Sequence, residues 1–297
     1  MTLPAWASPS HPIVRRELAV WNGYTRRWRW LAVLLILLPV GCSALCGLSG
    51  LPIALSENTT AAWALTLGLG FIGGLWALHG FATWGLSLIL NIGAATLIAR
   101  ERQTQNWELI RLTPLTVPDI VRAKIAALWL WLRWPILLVL GLRVVGIVGT
   151  AVAAGVALVV APQLDPTFTR ALQTALLIGL VPVALFGLGY FVVELAASVL
   201  YSTAMGLLGS ALSRTSANAI ALTFVLNFAL GIAVFAPAQQ IATAGIGLVA
   251  GLAPDRWQGV AVGVAVLIAF VLPLIIELIL GGVALAISLD QARRLPE

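Results

Sequence analysis

The sequence predicts an all-α, polytopic membrane protein with six transmembrane helices, and three observations carry that expectation. Of 297 residues, 61% are hydrophobic and only 9% are charged, against about 25% charged in an ordinary soluble domain. The charges gather in a few clusters, separated by apolar stretches long enough to cross a hydrocarbon layer of roughly 30 Å. All but one of the 17 basic residues are arginines, and most flank apolar stretches, as in loops that hold topology from the cytoplasmic side. A soluble core could not bury so much apolar surface and keep a polar exterior. The net charge of +6 therefore belongs to membrane-flanking loops, and nucleic acid is not the expected partner.

The apolar stretches run over residues 30–55, 60–99, 126–161, 171–213, 219–236 and 258–289, and about 20 residues suffice for one crossing. One crossing each gives six spans. Arg15, Arg16, Arg26, Arg27 and Arg29 precede the first stretch. Arg100, Arg102, Arg111, Arg122 and Lys124 follow the second, Arg214 the fourth, and Arg293 and Arg294 end the chain. Placing all of these inside leaves Arg170 and Arg256 in outer loops and puts both termini on the cytoplasmic face of the cell membrane. Stretch 60–99 then crosses once, its first third lying in the interface or dipping back out. Eight spans are the alternative, and they need tight turns near Arg143 and Gly189, where no Pro, Asn or Asp cluster stands. Residues 237–257, with Pro237, Gly245, Gly247, Gly251 and Pro254, read as a re-entrant outer segment. Residues 30–297 form a single transmembrane domain, with residues 1–29 as its cytoplasmic lead-in.

Cys42 and Cys46 share one helix face in the first stretch and read as small apolar packers, not as a disulfide framework or a metal site. Pro39-Val40-Gly41-Cys42 approaches a lipoprotein cleavage box, but a proline stands where an aliphatic residue is wanted, so the first stretch reads as a retained span.

Two polar segments carry the information. In residues 11–29, Val14, Leu18, Trp21, Tyr24 and Trp28 fall on one side of a helical wheel, with Arg15, Arg16, Arg26, Arg27 and Arg29 opposite. That pattern predicts a helix lying in the membrane surface, arginines towards anionic lipid head groups. Glu17 lands at the edge of the apolar side, a costly place unless it pairs, which predicts a contact with another cytoplasmic element. The second segment is residues 99–124. Thr104 is placed to cap a short helix running to Leu112 and stopped by Thr113-Pro114. Thr116 with Asp119, and Pro118 in the first turn, predict an immediate second helix start. The short helix should present Trp107, Ile110 and Leu115 with Glu101, Glu108 and Arg111, an exposed aromatic among charges of the kind that anchors a partner.

Ala99-Arg100-Glu101-Arg102, Trp107-Glu108-Leu109-Ile110-Arg111-Leu112-Thr113-Pro114-Leu115 and Lys124 resemble the hallmark loop of ABC-2-type ABC transporter permeases. His11-Pro12-Ile13-Val14-Arg15-Arg16-Glu17-Leu18 is similar to the way many of them begin, and Ser210-Ala211-Leu212-Ser213-Arg214 to the end of their fourth span. The family commonly has a small residue or Gly-Thr where Gln105-Asn106 stands. The resemblance implies a six-span permease that pairs as a homodimer or heterodimer, each copy docking on a cytosolic ABC ATPase subunit that binds ATP and Mg. The loop 100–118 would carry the coupling helix that contacts the ATPase, through Glu101, Trp107, Glu108, Ile110, Arg111 and Leu115. The N-terminal amphipathic helix would be the connecting helix beside it.

No phosphate-binding loop is present, because Ala123, not glycine, precedes the lone lysine, Lys124. No His-Glu-x-x-His or Gly-x-Ser-x-Gly occurs either, so the expectation is a non-enzymatic subunit with no catalytic, cofactor or metal residues of its own. Arg143, Glu194 and Glu277 fall inside apolar stretches, where a charge costs roughly 2.5–3.5 kcal/mol at mid-bilayer. They either pair structurally or line a substrate path. Asn91 and Asn227 read as an interhelical hydrogen bond, and Trp63, Trp129, Trp131, Trp134 and Trp257 as interfacial belts. The rival readings are a proton-coupled secondary carrier using Glu194 or Glu277, and a non-transporting membrane assembly factor.

Overall fold

In the computed structural model the described residues are 8–22, 60–160, 166–238 and 255–294, with 240, 241, 244, 245 and 248 singly; side chains are described for fewer, from residue 78 onwards in the first long helix. The first apolar stretch, Cys42, Cys46 and most of the re-entrant segment 237–257 lie outside them. Among the described residues the protein is all-helical, without strands. Helix α1 covers residues 12–22. It is followed by α2 (Thr60–Thr96), α3 (Ala99–Gln103), α4 (Asn106–Arg111), α5 (Val117–Trp131) and α6 (Arg133–Val160). Then come α7 (Pro166–Leu212), α8 (Ser216–Leu230) with a π-helical continuation Gly231–Phe235, and α9 (Asp255–Arg294).

Among the described residues, five helices are long and apolar enough to cross a membrane, over Leu78–Gln103, Arg133–Val152, Gly189–Leu212, Ser216–Ala238 and Val271–Arg294. This is the architecture of a helical membrane protein. Both turns that an eight-span arrangement would need are missing: α6 runs unbroken through Arg143 and α7 through Gly189. Neither position carries a Pro, Asn or Asp cluster, and glycine alone does not end either helix, so the backbone hydrogen bonds continue. At 47 residues, α7 is about 70 Å long, more than twice the hydrocarbon thickness.

Helix α7 is the centre of the bundle, with its broadest interfaces against α9 and α2. Close approach to α2 depends on Gly206, where a Cβ would stand 2.5 Å from the Asn91 carbonyl oxygen and 2.7 Å from the Ala94 Cβ. Beside this contact Asn227 Nδ2 donates to Asn91 Oδ1 at 3.3 Å, joining α8 to α2 as the two asparagines predict. Small residues and a side-chain hydrogen bond are what holds helices together when lipid is the solvent.

Candidate functional site

At the arginine-rich end of the bundle, α2 breaks at Leu97-Ile98 and restarts as α3. A restart exposes backbone N–H groups that need acceptors. Ser210 on α7 supplies one: its Oγ accepts from both the Ile98 and Ala99 amides at 2.9 Å. In return, Arg102 on α3 donates from Nη1 to the Ala211 and Ser213 carbonyls at 3.3 and 2.8 Å. A cation at a helix C-terminus also meets the negative end of the helix dipole. The end of α7 and the start of α3 therefore cap each other.

Helix α3 ends at Gln103 with Thr104 as its C-cap, and Gln105 follows with a left-handed φ of 58°. That residue turns the chain into α4 and serves as its N-cap. Thr104, expected to fill that role, is engaged backwards, its hydroxyl donating to the Arg100 carbonyl while accepting from Asn106 Nδ2. The second helix start follows the sequence expectation. Thr116 caps α5, accepting from the Asp119 amide and bonding the Asp119 carboxylate at 2.5 Å, with Pro118 in the first turn.

These turns bring together five charged side chains distant in sequence. Glu17 of α1, Glu101 of α3 and Lys124 of α5 are at most 1% exposed. Lys124 Nζ pairs with Glu17 Oε1 and with Glu101 Oε1, the latter at 3.0 Å. Arg100 reaches Glu17 Oε2 at 2.7 Å. Arg16 forks over Glu101, Nη2 lying 3.0 and 3.2 Å from its two oxygens. Three cations surround two carboxylates: Glu17 holds Lys124 and Arg100, and Glu101 holds Lys124, Arg16 and, at 3.6 Å, Arg100. Burying charge is tolerable only when it is paired in this way. The pairing expected of Glu17 is thus present, but Glu17 sits inside the buried face of α1, between Val14 and Trp21, not at its edge. That face packs on protein, with Val14 against Ala123 and Ala127 and Trp21 stacked on Trp131 at 5.0 Å between ring centroids. The part of the N-terminal helix beyond residue 22 lies outside the described residues.

The outer surface of α4 is not the one expected from the sequence. Trp107 is only 4% exposed, part of the main apolar cluster with Trp21, Leu97 and Ile120, and Ile110 and Leu115 pack against the same cluster. Glu101 is consumed in the charge network. Outside face Glu108, Leu109 and Leu112, with the two leucines 64% and 82% exposed. The side chain of Arg111 lies outside the described residues. The helix has two apolar faces, and the larger one, carrying the tryptophan, goes where the core is.

A second polar layer lies within the bundle. From His79 to Thr96, Glu194 to Leu212 and Glu277 to Arg294 each helix runs 17 or 18 residues, or about 25 Å. Arg143 on α6 is fully buried and pairs with Glu194, and its Nη1 donates to the Phe191 carbonyl at 2.5 Å. The guanidinium also lies 5.8 Å from the Phe191 ring centroid. Two of the three expected intramembrane charges are thus brought together as a pair. Glu277 is not in that pair, and its Oε2 is buried without a hydrogen-bond partner.

Between α5, α7 and α9 lies a cavity of about 150 Å³ lined by Ile125, Trp129, Leu200, Thr203 and Leu285, with Arg122. Its walls suit hydrocarbon and bring no reactive group together. No cluster of three His, Cys, Asp or Glu side chains able to hold a metal occurs among the described residues. Pattern reading missed Arg16, Arg100, Arg102 and Ser210 as functional positions. The short spacing of Arg100, Glu101 and Arg102 was a signal for the first group, whereas nothing local marks Ser210 as a cap for residues over a hundred positions away. Comparison with models of protein families, with curated proteins and with solved structures gives no match to this chain.

Proposed function

We propose that this chain is the membrane-spanning permease subunit of an ATP-driven ABC exporter, with ATP and Mg bound by a separate cytosolic subunit. In this reading the stretch 30–55 supplies a sixth span, the arginine-rich end faces the cytoplasm, and two permeases pair in the cell membrane. The observation that carries it is α4: a six-residue helix fixed from below by Trp107, and showing water a carboxylate and two leucines. Large apolar side chains left in water beside a charge are what a partner surface requires. The rigid base matters as much as the face. A helix seated on a buried ion network and a tryptophan moves as one body with α3 and α5, so a push on α4 would reach α2 and α7 through the mutual caps.

The test is co-purification of the full chain from its own cells with ATPase activity. Burying one leucine contributes about 1.5–3 kcal/mol, roughly ten- to hundredfold in affinity. Leu109→Ser with Leu112→Ser and Glu108→Arg should abolish the associated ATPase while the protein stays inserted. Arg170→Ala, expected on the opposite side, should not. An undiminished ATPase in the triple variant would remove the basis for the coupling role.

A further inference from the structure

Arg122, Ile125 and Trp129 follow one another at spacings of three and four residues, so they share a face of α5. That face, with Leu200 and Thr203 of α7 and Leu285 of α9, lines the cavity of about 150 Å³. The polar atoms of its wall are satisfied inside the protein. Trp129 donates its indole N–H to Thr203 Oγ1 at 3.0 Å, and the Thr203 hydroxyl donates to the Val199 carbonyl at 2.7 Å. A tryptophan at a membrane interface ordinarily keeps that N–H for the wet side. Here the ring is left as an apolar wall, 36% exposed. Water needs about two to four polar partners to occupy a cavity, and this wall offers none beyond the arginine at one end. The space suits hydrocarbon.

The two ends of the cavity differ in depth. Thr203 stands about two and a half turns before the end of α7, and Leu285 as far before Arg294. Both lie within helices able to cross a membrane. Arg122 is in the second turn of α5, nearer the arginine-rich end. Its side chain is 54% exposed, and its one charged contact among the described residues, Asp119, stands 3.6 Å away. A surface pair at that distance holds little, so guanidinium N–H groups remain for another anion.

A run of methylenes ending in a negative head group matches both ends at once. We infer that this cavity is a binding site for one acyl chain of an anionic phospholipid, with the lipid phosphate on Arg122. A guanidinium suits phosphate because its planar fork donates two parallel N–H bonds. The site rests on the membrane location alone and goes beyond ATP coupling. Once filled, it would join α5, which follows α4 in the chain, to the central helix α7.

Trp129 reports occupancy. The full chain is placed in phosphatidylcholine vesicles, and its tryptophan fluorescence is quenched with phospholipids brominated on the acyl chain. Subtracting the signal of Trp129→Phe isolates the one indole. A single charge at the head group changes preference about fivefold. Brominated phosphatidylglycerol should therefore half-quench Trp129 at an about fivefold lower mole fraction than brominated phosphatidylcholine. Arg122→Gln should erase that difference and Arg122→Lys should keep it. Arg214→Gln, at an exposed arginine outside the cavity, should leave it intact. Leu285→Phe, which fills the space, should weaken quenching by both lipids; should it fail to fold, the arginine variants still decide. Equal midpoints in the wild type would mean unselective surface lipid and would overturn the inference. So would a Trp129 that neither lipid quenches, the result if another polypeptide covers the cavity, or an equal loss of preference in Arg214→Gln and Arg122→Gln.

Discussion

Replacing Lys124 by methionine removes the central cation of the buried network while keeping the length and apolar stem of the side chain. Glu17 retains Arg100, and Glu101 retains Arg16 with Arg100 at 3.6 Å, but the two carboxylates lose the buried ammonium they shared. All three central side chains are at most 1% exposed, so water cannot take the place of Lys124. Removing one partner of a buried pair costs about 3–5 kcal/mol. The loss should appear first in α1, which has no other charged tie to α5. At about 1.4 kcal/mol per tenfold, hydrogen exchange of the amides in residues 12–22 should accelerate roughly a hundred- to several-thousandfold. The Trp21–Trp131 stack gives a second reading, through loss of its near-ultraviolet dichroism. Arg16→Ala is the contrast. That side chain is 49% exposed, and an exposed pair contributes about 1 kcal/mol or less, so exchange should rise by no more than about fivefold. Adding Glu17→Gln and Glu101→Gln to Lys124→Met should recover part of the protection, because the orphaned charges are gone. Wild-type exchange in Lys124→Met, or equal damage from Arg16→Ala, would show that the network does not hold α1.

Three further predictions follow from contacts elsewhere in the bundle. Ser210→Ala deprives two buried amides of their acceptor and should destabilise by about 1–3 kcal/mol, read as faster exchange confined to Ile98 and Ala99. Arg143→Ala should impair folding more than the double variant Arg143→Ala/Glu194→Ala, since the single change strands a charge and the double does not; comparing their thermal melts in detergent measures the difference. Gly206→Val places a branched side chain against the α2 backbone and should cost at least about 1–3 kcal/mol, seen as a lowered melting temperature. Gly282, which has open space around it, should accept alanine without such a loss.

The long helices were legible because lipid as solvent imposes a length and a composition together, and both are visible in the sequence. Single-residue chemistry was legible wherever its partner was close by or its cost was plain. Thr116 and Asp119 announce a cap three residues apart, and Glu17 on an apolar face demands a cation. The orientation of α4 was not legible. Trp107 with Ile110, and Leu109 with Leu112, are both apolar pairs at helical spacing, and only the position of the core decides which turns inward. Gln105 added to the difficulty. A left-handed residue that is not glycine restarts the helix with a new phase, and no local pattern marks it. Ser210 was illegible for a third reason: its recipients are residues 98 and 99, brought near only by the finished bundle.

That last contact also sets an order of events. The amides of Ile98 and Ala99 leave the ribosome 112 and 111 residues before the hydroxyl that satisfies them. At synthesis rates of about 5–20 residues per second, they wait on the order of ten seconds for Ser210. Throughout that interval the break between α2 and α3 has no lasting acceptor and must borrow one from water or lipid head groups at the surface. The charge network, whose members all lie within the first 124 residues, needs nothing made later, whereas the mutual caps of α3 and α7 can close only once Ser210 has been made.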